Sequence, residues 1–458
     1  MPDLLVEKDL KVLDLAVRLL ELLRRCITMN GRIKKIYAQQ VYTRRGHPGV
    51  EAVVITEGGF EGRAVCTSGV SIGSHEIPFK FDDTGKFGGK GVMNAVDNVN
   101  NIIGPKLIGM NTADQLAIDS AMLAIMPDAK LNLGGNATAA VSAAALKAGA
   151  LSLEIPLYQH IGGVNAMYLP VPGIITLVGS DRFGGGITTP GGKPSYSIML
   201  YDFKSFEEAS YAGWEISNVW RNAVKSKYGI DSSMDGVILI GPGHVSSDEE
   251  LWALMAESIA KAGYEGRAGI QVDVATDTYH NKEDDLYYGL FDNKPKSKED
   301  LMNLYLYMAD NYPFVIYEDP FNEDDYENTA ELTKRVGIQI TGDDLFTTNP
   351  ERVSYGISKG AATTVLLKVN QVGTISEALE MVHYAYRFGY SVMPCESRGE
   401  GAAIADYSVG INAKTVRESA LGDSANRFIE IERELGSRAK FAGTDGLMGP
   451  KNKARIKK

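Results

Sequence analysis

The sequence predicts an α/β protein, with an N-terminal α+β domain followed by a (β/α)8-type, TIM-like barrel. Three observations carry that expectation. "IKKIYAQQVYTRRGHPGVEAVVITEGGFEGRAV" alternates like antiparallel strands, with His-Pro-Gly and Gly-Gly at its turns. The stretch from Gly91 to Ala150 turns helical and rich in small residues, as in "NATAAVSAAALKAGALSLEI". After "YLPVPGIITL", short apolar strands alternate with capped helices, and repeated βα units favour a closed barrel over an open sheet.

Taken in order, the first segment is "MPDLLVEKDLKVLDLAVRLLELLRRC", whose charges recur too often for a signal-peptide core or a spanning segment. Val6, Leu10, Leu13, Val17 and Leu20 form the seam of an amphipathic helix that Gly31 can stop. Residues 1–31 therefore read as an added helix, packed on its own domain or on another subunit. Residues 32–168 make the α+β domain, opening with three antiparallel strands. Residues 169–445 make the barrel, with strands at "YSIMLYD", "GIQVDVA", "FVIYED", "IQITGDD", "TTVLLKVN" and "SVMPCES". Helix starts are legible between them: Ser247 with Glu250 and Thr374 with Glu377 as capping boxes, and Asn349-Pro350 as an N-cap with a first-turn proline. Leu301, Leu304, Tyr305 and Met308 share one helix face that must cover a sheet. Residues 446–458, with "PKNKARIKK", read as a solvated basic tail.

Composition narrows the function. The 458 residues are 44% hydrophobic and 23% charged, which fits neither a disordered chain nor a membrane protein. A net charge of −11 argues against a nucleic-acid or anionic-membrane partner, since polyphosphates attract clustered Lys and Arg. Cys26, Cys66 and Cys395 are far apart and form no CxxC pair, so a disulfide framework or structural zinc is not expected and a reducing cytoplasm is.

The chemistry collects at strand ends, because in such a barrel the C-terminal ends of the strands share one mouth. "IQVDVA" offers Asp273, "VIYEDPFNEDD" offers Glu318 and "ITGDD" offers Asp343. Three converging carboxylates repel unless a cation sits among them, and oxygen-only donors select a hard ion, Mg²⁺ before zinc. The next strand end supplies Lys368, a base whose pKa a neighbouring dication would lower. Taken singly, each acid also suits a helix cap or a loop ion pair. Asp319 and Asp344 read as supports for the acids beside them.

"YEDPFNEDD", "TGDDLFTTNPERV", "LLKVNQVGTISEALE" and "RFIEIERELG" resemble enolase, as do "VYTRRGHPGVE" and "CTSGVSIGSHE" in the N-terminal domain. The likeness runs from Arg32 to Gly443. It implies a barrel with modified strand order, Mg²⁺ dependence, a cytoplasmic homo-oligomer (dimer or octamer), and a phosphorylated carboxylate as substrate. By the same resemblance, Asp273, Glu318 and Asp343 fall on the metal ligands and Lys368 on the base that takes the proton α to the carboxylate. Ser71 falls on a mobile-loop serine that helps hold a second ion and covers substrate.

The sequence also departs from that family. Where enolase has Gln-Glu-Phe-Met, this chain has "YSIM", with Ser197 for the glutamate, and "DGVILIGPGH" lacks the second acid. Ser-His-Arg-Ser-Gly becomes "CESRGE": Glu396 takes the histidine's place, and Ser397 and Arg398 appear in swapped order as a displaced anion-binding pair. The second family lysine is replaced by Arg417 or Lys414, which spacing alone does not separate. Asp181 and Arg182 stand near the place of another family histidine. Glu396 is the candidate substitute acid, with a salt bridge to Arg398 or Arg417 as its plainer role.

The sequence therefore predicts a Mg²⁺-dependent lyase. Lys368 would remove a proton next to a carboxylate and a β-leaving group would depart, from 2-phosphoglycerate or from a related phosphorylated or phosphonate-bearing carboxylate. A non-catalytic scaffold or binding protein on the same fold is the alternative.

Overall fold

The structure, a computed structural model, describes residues 30–455 apart from 45, 70–71, 83, 185–191 and 234–235. The expected N-terminal helix and Ser71 lie outside the described residues. The chain gathers into two compact units. The first comprises residues through Thr67, then Pro78–Leu157 and Thr374–Ser376; the second comprises Ser68–Ile77, Tyr158–Gly373 and the residues from Glu377 onward.

In the first unit, strands β1 (Ile33–Tyr42), β2 (Pro48–Thr56) and β3 (Glu61–Cys66) form an antiparallel sheet in that order, as their alternation predicts. Helix α1 (Gly135–Ser152) packs on it through its run of small side chains. Gly62 permits the close approach: a Cβ there would meet the Ala144 carbonyl oxygen at 2.2 Å and the Ala148 nitrogen at 2.4 Å. Ala144 and Ala148 are fully buried in the same core, so helix and strand meet backbone to backbone.

The second unit is an eight-stranded barrel: β4 (Val171–Gly179), β5 (Gly192–Leu200), β6 (Ala268–Asp273), β7 (Phe314–Glu318), β8 (Gln339–Gly342), β9 (Thr364–Leu367), β10 (Ser391–Pro394) and β11 (Thr415–Val416). Neighbours in sequence are neighbours in space. β11 returns to pair with β4, and the parallel bridge between Cys395 and Arg417 closes the ring between β10 and β11. Only β5 runs against the others, antiparallel to both β4 and β6. The entrance of β5 therefore lies at the same rim as the exits of its neighbours, Ser195 opposite Asp273.

Strand alternation sorts the side chains. Val272, Tyr317, Ile340, Val365 and Val392 face outward into a large apolar core with Trp220, Trp252, Tyr305 and Phe346 of the surrounding segments. The opposite phase of the strands contributes Met199, Ile316, Leu366 and Met393 to a smaller apolar cluster. Above that cluster the same phase turns polar, through Ser195, Ser197, Gln271, Thr341 and the acids, all buried. The outer helices include α2 (Phe206–Tyr228), α3 (Glu249–Lys261), α4 (Lys298–Asn311), α5 (Tyr326–Val336), α6 (Pro350–Lys359), α7 (Ile375–Arg387), α8 (Ala403–Gly410) and α9 (Gly422–Leu435). Leu301, Tyr305 and Met308 are buried on one face of α4, as their spacing predicts.

Two local expectations are corrected. Helix α3 begins one residue later than the Ser247 box implies, with Asp248 at the cap, and Glu250 instead accepts from the Ser246 backbone at 2.8 Å. Asp248 is consumed by a buried ion pair with Arg182 at 2.7 Å and by the Tyr196 hydroxyl at 2.7 Å, which makes Arg182 a packing residue. The basic tail is not wholly solvated either. Residues Pro450–Arg455 form helix α10, in which buried Asn452 donates to the Val315 carbonyl at 2.8 Å and Lys451 pairs with Asp310 at 2.6 Å. A count of charges hides the buried amide that helps dock this segment. Asn349, by contrast, caps α6 as expected, accepting from the Glu351 and Arg352 backbones at 2.8 and 3.4 Å.

Candidate active site

Asp273 and Glu318 are the last residues of β6 and β7, Asp343 follows β8 directly and Lys368 follows β9. All four are buried, at 5% exposure or less. Parallel register sets Glu318 beside Asp273, and Arg417 then spans the pair: one guanidinium nitrogen lies 2.7 Å from Asp273 and the other 2.7 Å from Glu318. The Lys368 amine sits 2.5 Å from Asp343. The structure thus brings together five of the residues singled out in the sequence.

It also separates Arg417 from Lys414. Lys414 stands at the other end of β11, where its amine lies 4.5 Å from the centre of the Tyr168 ring. Strand polarity decides this: three residues along β11 lead from the floor of the barrel to its rim.

Several participants escaped sequence reasoning. Lys193 reaches the Asp273 carboxylate from the entrance of β5. Ser195, two residues on, accepts from Arg417 at 3.1 Å. Gln271 donates to Glu318 at 3.0 Å, and Gln371 donates to Asp343 at 2.7 Å while accepting from Thr348 at 2.7 Å. The usable signal was period two: residues 193, 195 and 197 share a phase, as do 271 and 273.

Beneath the acids a second layer forms. Asp319 accepts from the backbones of Asp343 and Asp344 at 3.0 and 2.8 Å, which holds the turn after β8. Carboxylate oxygens of Asp319, Asp343 and Asp344 all lie within 4.8 Å of one another. The backbone is strained around this rim. Ala275, Asp319, Thr347, Thr348 and Glu418 have φ between 43° and 57°, unfavourable for side chains with a Cβ and tolerated where surrounding bonds over-determine the turn.

Electrostatics follow from crowding and burial. Burial would raise the Asp343 carboxyl, yet the Lys368 ammonium overrides this and holds it down at about 2. For Asp344, burial and then the Asp343 charge prevail over the pull of Lys368 and push it up to about 8. Asp319 is raised for the same reasons, and Glu318 is raised by burial against the pull of Arg417. For Lys368, burial favours the neutral amine, but the Asp343 charge prevails and raises its pKa. The sequence-based expectation of a lowered lysine concerned a neighbouring dication; the Asp343 pairing has the opposite effect. Lys193 is lowered to about 8, first by burial and then by Arg417.

The phosphate-type contacts are arranged differently from the sequence expectation. Arg398 is buried and pairs with Glu76, from the segment Ser68–Ile77. Ser397 is half-buried, its backbone donating to Glu400 at 3.2 Å. Glu396 stands two residues beyond β10, also half-buried. Ser197 is buried on β5 opposite Gln271.

The close-packed oxygen donors of Asp319, Asp343 and Asp344, whose crowding and burial raise Asp319 and Asp344, suit a hard dication; of the three acids singled out in the sequence only Asp343 belongs to this group, while Asp273 and Glu318 are bridged by Arg417. No single helix among the described residues is long and apolar enough to cross a membrane.

Known proteins are similar in sequence along most of the chain. The family described as "Enolase, N-terminal domain" matches residues 33–161, and "Enolase, C-terminal TIM barrel domain" matches residues 166–448. The enolase of Methanocaldococcus jannaschii is 39% identical over 420 residues, covering 90% of this chain and 97% of that protein. The enolase of Bifidobacterium longum subsp. infantis is 38% identical over 427 residues, covering 90% and 96% respectively.

Proposed function

We propose, for a chain that belongs to the enolase family and is by that membership a carbon–oxygen lyase, that Lys368 removes the proton α to the carboxylate of a phosphorylated or phosphonate-bearing acid while a β-leaving group departs. The observation that carries this reading is the Lys368 amine, 2.5 Å from Asp343 in the mouth where Arg417 clamps Asp273 to Glu318.

In this proposal Asp273, Glu318 and Asp343 would hold Mg²⁺, and Ser71 would serve a second ion. When bound, the dication supplies positive charge that offsets Asp343 and the carboxylate gaining electron density. Lys368 must then give up its proton before it can accept one from substrate. Arg417, permanently charged, orients the substrate carboxylate. Arg398 and Ser397 receive the phosphoryl or phosphonate group; the Arg398 Nε has no hydrogen-bond partner among the described residues, which supports that assignment. Glu396 protonates the leaving group, in the place where the family has a histidine. The buried thiols of Cys66 and Cys395 accord with a cytoplasmic enzyme, and a homo-oligomer is expected by family.

Two substrates fit this reading. Dehydration of 2-phosphoglycerate to phosphoenolpyruvate follows from membership. A different β-leaving group is favoured by the polar phase of β5, which carries Lys193, Ser195 and Ser197 where the family places an acid. The deciding experiment supplies 2-phosphoglycerate and Mg²⁺ and follows phosphoenolpyruvate. Robust turnover establishes the first substrate. No turnover with Mg²⁺ bound selects the second, and no turnover without Mg²⁺ binding returns the protein to the scaffold reading.

A further inference from the structure

Three acids of the mouth, Asp273, Glu318 and Asp343, face three cationic side chains of the chain itself, Arg417, Lys193 and Lys368. The formal charges cancel without any added ion. Two of these cations are tied in. Arg417 bridges two carboxylates and also meets Ser195 at 3.1 Å and Glu418 at 3.0 Å, a fork that several simultaneous bonds fix in place. The Lys368 side chain alone is 6% exposed and is locked to Asp343. Lys193 differs on both counts: it meets Asp273 through one amine on a flexible four-carbon stem, and its side chain is 12% exposed.

We propose that Lys193 is a built-in counter-ion that competes with the dication for Asp273, so that metal loading requires its ammonium to leave that carboxylate. This rests on the reading of Asp273 as a metal ligand. One carboxylate oxygen, Oδ2, already receives both Arg417 and Lys193. A dication brought to the same carboxylate adds positive charge beside both cations; the Arg417 fork is held by its other bonds, so the singly attached Lys193 ammonium is the group that must move off. Lys193 therefore sets the metal concentration at which the enzyme is loaded, and keeps the mouth neutral when metal is scarce.

The test is calorimetric titration of the full-length, metal-stripped protein with MgCl2, comparing wild type with Lys193→Gln. Removing the competitor should tighten Mg²⁺ binding about tenfold, the equivalent of about 1.4 kcal/mol. Loss of a merely structural contact would leave affinity the same or weaken it, and either result overturns the proposal. A second measurement needs no variant. Acetic anhydride labelling of Lys193 in the wild-type protein, read by mass spectrometry, should rise several-fold when MgCl2 is added, and constant or reduced labelling overturns the proposal. If neither protein binds Mg²⁺, the metal reading of Asp273 falls with it. If both bind with equal affinity, only the competition falls.

Discussion

Arg398 lays two guanidinium nitrogens on the Glu76 carboxylate, at 2.6 and 2.5 Å, with neither side chain more than 3% exposed. The residue expected to receive a substrate anion is thus already holding one that belongs to the protein. Glu76→Gln should keep the shape, release part of that hold and tighten inorganic phosphate binding in competition assays. Arg398→Ala should strand the Glu76 carboxylate and cost about 3–5 kcal/mol in urea denaturation, the usual result of breaking a buried pair from one side.

Replacing Lys368 tests the base. Lys368→Met should lower turnover by about 10²–10⁴-fold or more and abolish exchange of the substrate α-proton with D2O. Lys368→Arg keeps the charge beside Asp343 but cannot deprotonate, so it should restore stability without restoring exchange.

Arg417 and Lys414, alternatives in the sequence, should now behave differently. Arg417→Met leaves Asp273 and Glu318 without their shared partner, and should both abolish turnover and cost about 3–5 kcal/mol of stability. Lys414→Ala removes one contact with the Tyr168 ring and should cost about 0.5–1 kcal/mol while kcat is unchanged. Denaturation midpoints and steady-state rates on both variants check the contrast.

Stability of the metal-free protein should depend on pH through Asp344. Its folded-state pKa is raised from the ordinary carboxylate value to about 8, chiefly by burial and then by Asp343. The folded state therefore binds this proton more tightly than the unfolded state. The contribution is fully present below the ordinary carboxylate range and is lost as pH rises towards 8. Stability curves of wild type and Asp344→Asn in EDTA should diverge across that window, with the wild type falling more steeply. Parallel curves would contradict the assignment.

The docked tail gives a last check. Asn452→Ala removes the amide that donates to the Val315 and Met448 carbonyls, both at 2.8 Å, and should cost about 1–3 kcal/mol. A solvated tail would show no effect in denaturation.

The acids and Lys368 were legible because each ends a short apolar run, and a barrel gives such positions one destination. The three-stranded sheet and the buried face of α4 were legible for the same reason, since a period of 2 or 3.6 leaves its mark in adjacent residues. Lys193 was not, because its phase with Ser195 and Ser197 reaches the acids only through the reversed direction of β5, which nothing local in the sequence marks. Glu76 was hidden by distance, 322 residues before the arginine it meets. Arg417 and Lys414 differ by three positions, which only the direction of β11 resolves. The Ser247 box failed because two adjacent polar residues both suit a cap, and a buried arginine had already claimed Asp248.

The reversed direction of β5 gives the barrel a second route to its own rim. Chemistry at the other strands is supplied where a strand hands over to its loop, so altering it disturbs the connection to the next helix. On β5 the same rim is furnished from within the strand, where Ser197 is paired with Ile175 of β4 and Gln271 of β6 and Ser195 with Asp273 of β6. A side chain exchanged at Ser195 or Ser197 therefore changes the rim without altering a turn into the next helix.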